Sequence, residues 1–175
     1  MQIQPGVFTA TIEDFPRIVV VWEASVRATH HFVSEADIHV FRPMVRDALP
    51  QIPALVCVRD DGGCVAGFIA VADGSVEMLF IDPAARGQGA GRLLLQHAIA
   101  ALGATRLDVN EQNERALGFY THMGFAVVGR SALDGTGKPY PLLHMRLPDD
   151  DLRDTILALR PFGCPQCSRG GRTSA

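Results

Sequence analysis

The 175-residue sequence has no apolar run approaching the roughly 20 residues of a membrane span. Its first stretch, MQIQPGVFTATIEDF, lacks both the basic and the apolar region of a secretory signal. Membrane insertion and export are therefore not expected, and the cytoplasm is the default location. Positive charge is not in excess. Sixteen Lys and Arg stand against 19 Asp and Glu, a formal −3, the reverse of the basic footprint of a nucleic-acid binder. Such a balance suits a neutral or cationic small partner. Internal repeats are missing, and four cysteines are too few for a disulfide scaffold in a chain this long. What remains is 47% hydrophobic and 20% charged, an ordinary globular balance. One domain of this length buries about two-thirds of its unfolded surface.

Helix and turn signals divide the chain. A short strand within 1–9 is weakened by Pro5 and Gly6. Thr11 and Asp14 form a capping-box pattern, with Pro16 in the first turn of a helix to about Thr29. Its 3.6-residue period puts Ile18, Val21, Trp22 and Val26 inside. SEAD at 34–37 opens a second helix ending near Pro50. Strand-type runs at 54–59, 64–72 and 75–81, separated by DDGG and DGS, read as an antiparallel meander. A glycine loop then enters a helix closed by Gly103, followed by a strand at 106–110 and a helix at 111–124 closed by Gly124. Strands at 125–134 and 141–147 end the series. The order β-α-α-β-β-β-α-β-α-β-β predicts an α/β (α+β) fold. It has a mixed, mostly antiparallel sheet of about seven strands flanked by four helices, in one domain over 1–148. Only the strand–loop–helix–strand unit in the middle is expected to pair in parallel. The extension 149–175 has the charge order and apolar spacing of one more helix at 149–160, then a Gly/Ser/Arg-rich tail.

The segment VEMLFIDPAARGQGAGRLLLQHA (76–98) carries the chemistry. Gly87, Gly89 and Gly91 let a ligand approach the backbone, and the helix N-terminus that follows favours phosphate. Arg86 and Arg92 bracket the loop and can add charge-assisted contacts. A glycine loop alone is equally a plain structural turn. The dinucleotide fingerprint fails because Arg92 stands where its last glycine belongs, although an acid, Asp108, lies about 20 residues on. The Walker pattern fails too, since no Gly-Lys-Ser/Thr follows.

RGQGAG at 86–91 matches the Arg/Gln-x-x-Gly-x-Gly/Ala signature of the Gcn5-related N-acetyltransferases, and NEQNERALGFYTHMGF (110–125) resembles their second signature. The two stand in the family's order and spacing, and the resemblance covers nearly all of 1–148. SVRATHHFVSEADI and GKPYPLLHM resemble, more narrowly, the small bacterial acetyltransferases of the YjaB type. The resemblance implies acetyl-CoA as cosubstrate and direct acetyl transfer to a primary amine, without a metal. It implies that the backbone of Leu79, Phe80 and Ile81 pairs with the pantetheine arm like an added strand. The amides of Arg86, Gly87, Gln88, Gly89, Ala90 and Gly91 then hold the pyrophosphate beside Arg92, and Asn113 supports the arm from the other wall. Tyr120 becomes the acid that protonates the leaving thiolate. Glu77, which strict alternation puts on the face of Leu79 and Ile81, becomes the candidate base. His30, His31 and Tyr140 border the acceptor side. A non-catalytic CoA or acyl-CoA binding module is the alternative.

The remaining features are weighed against a structural role. Trp22 and Phe119 read as packing residues. With a turn at 60–63, Cys57 faces Ala66 and Cys64 faces Arg59, so a cross-strand disulfide is not expected. Cys164-Pro165-Gln166-Cys167 is a single CxxC in a tail and does not make a zinc site, which takes four ligands. The acceptor is expected to be a small-molecule or peptide amine, with neither nucleic acid nor membrane as partner. A homodimer is permitted by the 149–160 stretch.

Overall fold

The computed structural model describes residues 1–148. The expected helix at 149–160 and the CxxC lie outside the described residues. Strands β1 (Phe8–Thr9), β2 (Ala54–Arg59), β3 (Val65–Ala72), β4 (Ser75–Ile81), β5 (Arg106–Asn110), β6 (Ala126–Ser131) and β7 (Leu142–Arg146) form one sheet in the order β1-β2-β3-β4-β5-β7-β6. Helices α1 (Phe15–Thr29) and α2 (Glu35–Ala48) cover one face, and α3 (Ala90–Leu102) and α4 (Glu114–His122) the other. All neighbouring strands pair antiparallel except β4 and β5.

Burial follows from position in this sandwich. The central strand β3, VAGFIAVA, is buried over seven of its eight residues because helices cover both faces. Val71 and Ile69 face α3, while Phe68 and Ala70 face α1. A Cβ at Gly67 would meet Ile81 Cδ1 at 2.5 Å and the Phe80 carbonyl oxygen at 3.2 Å, so a larger residue there has to push the Ile81 side chain aside. On α1, Ile18, Val21, Trp22 and Val26 are buried, joined by Val19 and Ser25. Trp22 packs edge-on to Phe80 and belongs to the core, as expected. The caps also form as read: Asp14 Oδ2 accepts the Thr11 N–H, Ser34 Oγ accepts the Asp37 N–H, and Gly103 closes α3 at φ 68.

Two expected alignments differ. The turn pairs Asp60 with Cys64, so Arg59 faces Val65, and a β-bulge between Val58 and Arg59 shifts the register once more, so Cys57 faces Phe68. Neither cysteine stands opposite the residue that an undisturbed hairpin gives it, and both are free thiols. A second bulge falls between β3 and β4, where Ala70 faces Met78 and Val71 faces Val76. The register steps over Glu77, which breaks the strict alternation assumed for it. The α4 helix also starts three residues later than 111, because Asn113 caps it with its side chain.

Candidate active site

The parallel pair β4–β5 is joined at only two positions, Ser75–Arg106 and Val76–Leu107. Beyond them β4 runs on to Ile81 and β5 to Asn110. The β5-facing edge of Leu79–Ile81 is thus left without a strand partner, and backbone groups there must be satisfied by something else. A cavity of about 400 Å³ opens along this edge, bounded by β4, the glycine loop, the end of α1 and the start of α4.

The loop is fixed from outside. Asp82 caps a short turn over 83–85 through the Ala84 N–H and forms an ion pair with Arg17 at 2.6 Å. Arg17 also donates to the Val65 carbonyl. Gly87 (φ 78) and Gly89 (φ 82) take left-handed backbone conformations, and Gly89 caps α3. A Cβ on either would meet nothing within 4 Å, so the space in front of them is open. The first amides of α3 have no helical partner and bear the positive end of the dipole. Arg86, Arg92 and Arg115 line the cavity, and no carboxylate does. A chain of net −3 therefore gathers three cations along one cavity that also holds a helix N-terminus. Burial, then Arg115, pulls the Arg86 guanidinium pKa down, and its Nη2 donates to Ser25 Oγ at 3.1 Å. The donor set fits a polyphosphate, and the open edge of β4 fits an extended amide-bearing arm.

On the opposite wall His30 meets Asn113. Thr29 Oγ1 donates to the Ser25 carbonyl, so its oxygen accepts from His30 Nδ1 at 2.9 Å. The proton thus sits on Nδ1, leaving the Nε2 lone pair toward Asn113 Nδ2 at 3.4 Å. The Asn113 amide is oriented by its own cap, Oδ1 accepting the Ala116 N–H. Burial, then Arg86 and His31, lowers the His30 pKa to about 4. The imidazole is a neutral acceptor at neutral pH. Tyr120 lies at the same wall, 8% exposed, packed between Phe119 and Phe125 at 5.2 and 6.1 Å between centroids. Burial raises its pKa, so the phenol stays protonated.

Of the residues singled out from the sequence, Leu79, Phe80, Ile81, Arg86, Gly87, Gly89, Ala90, Gly91, Arg92, Asn113, Tyr120 and His30 line the cavity. Gln88 does not. Its amide is engaged by the N-terminal segment, donating to the Met1 carbonyl and accepting from the Ile3 N–H. Glu77 is exposed on its bulge, and His31 is exposed on the α1–α2 junction; neither lines the cavity. Tyr140 also stands outside it, donating to Asp37 Oδ2 at 2.6 Å. Lys138, Tyr140 and Ser34 hold the Asp37 carboxyl down to about 2. Asp108, the acid of the dinucleotide alternative, is spent on His144 at 2.7 Å. Arg115 was not singled out. Its place is the first turn of α4 just after the Asn113 cap, from which it lines the cavity. Among the described residues no group of three or more His, Cys, Asp or Glu is placed to hold a metal ion. No helix among them is long and apolar enough to cross a membrane.

Known proteins share both the sequence and the architecture. A family model for the acetyltransferase (GNAT) domain matches residues 53–127. The peptidyl-lysine N-acetyltransferase YjaB of Salmonella typhimurium is 43% identical over 136 residues, 78% of this chain and 93% of that protein. The solution structure of apo-form YjaB from Escherichia coli superposes with a TM-score of 0.75 at 39% identity, covering 83% of this chain and 97% of that one. A PaiA N-acetyltransferase from Thermoplasma acidophilum, solved in complex with coenzyme A, shares the fold with a TM-score of 0.63 at 21% identity, over 85% of this chain and all of that one.

Proposed function

Because the chain belongs to the GNAT family of N-acetyltransferases, we propose that it moves an acetyl group from acetyl-CoA directly onto the side-chain amine of a peptidyl lysine. One observation carries the reading: the cavity joins an unpaired strand edge to a helix N-terminus, and three arginines and no carboxylate line it. That combination suits a ligand with an amide arm at one end and a pyrophosphate at the other. The acceptor class follows the peptidyl-lysine relatives and agrees with the chain's negative net charge.

Acetyl-CoA, when bound, supplies the acetyl thioester. The amides of the loop and of the first turn of α3 hold the phosphates, with Arg86, Arg92 and Arg115 beside them. The edge of Leu79–Ile81 binds the arm, and its N–H groups polarise the acetyl carbonyl. His30 Nε2, exchanging its long 3.4 Å hydrogen bond from Asn113 for one from the incoming amine, orients the amine lone pair. With a pKa of about 4 it positions the nitrogen and is a poor proton store. The new C–N bond forms as the C–S bond breaks. The amine proton passes to water at the open mouth, and the Tyr120 hydroxyl gives its proton to the departing sulfur. Glu77 has no part in this reading, because it stands outside the cavity.

Calorimetric titration with acetyl-CoA, ATP and NAD tests the cosubstrate, and release of free thiol with a lysine peptide tests the acceptor. Micromolar binding of acetyl-CoA alone, with thiol release that requires the lysine side chain, is expected. Equal binding of all three nucleotides overturns the cosubstrate. Thiol release with free amino acids but not with lysine peptides overturns the acceptor.

A further inference from the structure

The α1–α2 junction and the β6–β7 loop meet at one carboxylate outside the cavity. Asp37 Oδ2 accepts from the Tyr140 hydroxyl at 2.6 Å and from Ser34 Oγ at 2.9 Å, and Oδ1 faces the Lys138 ammonium at 2.5 Å. The same ammonium lies 5.9 Å from the centre of the Phe41 ring. The protein thus already binds a primary ammonium between a carboxylate and an aromatic face, a pairing that also accepts a guanidinium.

Lys138 is replaceable there. The loop keeps its shape through Asp134, whose Oδ1 accepts the backbone N–H groups of Thr136 and Lys138 and the Thr136 hydroxyl. Gly137 closes the same turn onto the Asp134 carbonyl. The Tyr140–Asp37 bond ties the loop to α2 without the lysine. The Lys138 side chain is 34% exposed, so water and a competing cation can reach it. None of Phe32, Asp37, Lys138 and Tyr140 lines the cavity, so a cation held by Asp37 is distinct from the nitrogen that reacts. The two places are nonetheless adjacent, through ring contacts of Phe32 with His30 at 5.4 Å and with Tyr140 at 6.1 Å.

We propose that Asp37 is a subsite for a second basic side chain flanking the lysine to be acetylated, and that Lys138 occupies it until such a peptide displaces it. The proposal rests on the peptidyl-lysine reading above and adds its substrate class: peptides with paired basic residues. Exchange of one cation for another leaves the carboxylate with three partners, the Tyr140 and Ser34 hydroxyls and a cation. Only the side chain of Lys138 has to swing into solvent.

Two heptapeptides test it, one with a single lysine among alanines, the other with an arginine two residues from that lysine. The wild type should favour the second by about fivefold in kcat/KM, the scale of a partly exposed ion pair. Asp37→Asn should bring the ratio to about one, and Lys138→Ala should widen it, since the internal competitor is gone. A ratio unaltered in Asp37→Asn, or a Lys138→Ala variant that loses the preference as Asp37→Asn does, overturns the subsite. The second outcome would make the ion pair a plain tether. If neither peptide is acetylated by the wild type, the peptidyl-lysine reading fails. The subsite is then decided by calorimetric binding of the two peptides to the CoA-saturated protein. The same order of variants supports it, and equal binding of both peptides overturns it.

Discussion

The two walls of the cavity are built on different principles. On the β4 and loop side the cavity offers mainly backbone: an unpaired strand edge, two left-handed glycines and the amides of a helix start, with the Arg86 and Arg92 side chains beside them. On the α1 and α4 side it offers side chains: His30, Asn113, Arg115 and Tyr120. Backbone recognition depends on conformation, so it tolerates any side chain that leaves φ and the open space alone. Side-chain recognition depends on single atoms. The first wall suits a cosubstrate that never varies, and the second suits steps where a proton must be placed.

The largest effect should come from the side-chain wall. Tyr120→Phe keeps the ring between Phe119 and Phe125 and removes one oxygen. Turnover should fall by about 10²-fold or more, with acetyl-CoA affinity unchanged by calorimetry. An equal loss of affinity would break the comparison, because the phenol would then belong to the binding wall.

His30 comes next, and its effect is on stability. Its folded pKa of about 4 lies below the ordinary value of 6.5. Between those values the unfolded chain takes up the proton first, so stability is fully present above pH 6.5 and is lost as pH falls toward 4. The loss should reach about 2–3 kcal/mol by pH 4.5, read from urea midpoints. His30→Gln should flatten that slope, and an unchanged slope would show that the imidazole is not held neutral by its surroundings.

The division between the walls also explains what the sequence reveals. Backbone recognition needs glycines at fixed offsets, and RGQGAG announces itself. Element edges are equally local: Ser34 and Gly103 cap where their chemistry says they should. The side-chain wall and the acceptor side are assembled from distant segments. Tyr140 and Asp37 are 103 positions apart, and no periodicity links them. The neutral state of His30 depends first on its burial and then on Arg86 arriving from the loop, and its tautomer depends on Thr29 spending its proton on Ser25. Bulges are a second blind spot. A turn that pairs Asp60 with Cys64 and a bulge opposite Val58/Arg59 together move Cys57 opposite Phe68, and one inserted residue opposite Ala70/Val71 lifts Glu77 out of the alternation. The first bulge lies beside a glycine, Gly67, while the second has neither glycine nor proline at its own position.

The finest test sits within the backbone wall itself, where two glycines two residues apart should respond with opposite sign. Gly89 is held at φ 82, so Gly89→Ala should cost roughly 1–2 kcal/mol of stability and weaken acetyl-CoA binding as the helix start distorts. Gly91 has helical backbone inside α3. A Cβ there would lie 3.7 Å from Phe119 Cζ and 3.8 Å from Ile81 Cγ1, ordinary contacts. Gly91→Ala should therefore gain about 0.5 kcal/mol from helix propensity and leave acetyl-CoA affinity unchanged, because the amide that faces the ligand is kept. Thermal melts and calorimetry on the pair separate conformation from side chain. If Gly91→Ala weakens binding as much as Gly89→Ala, the open space at the glycines, rather than their backbone geometry, is what the cosubstrate requires.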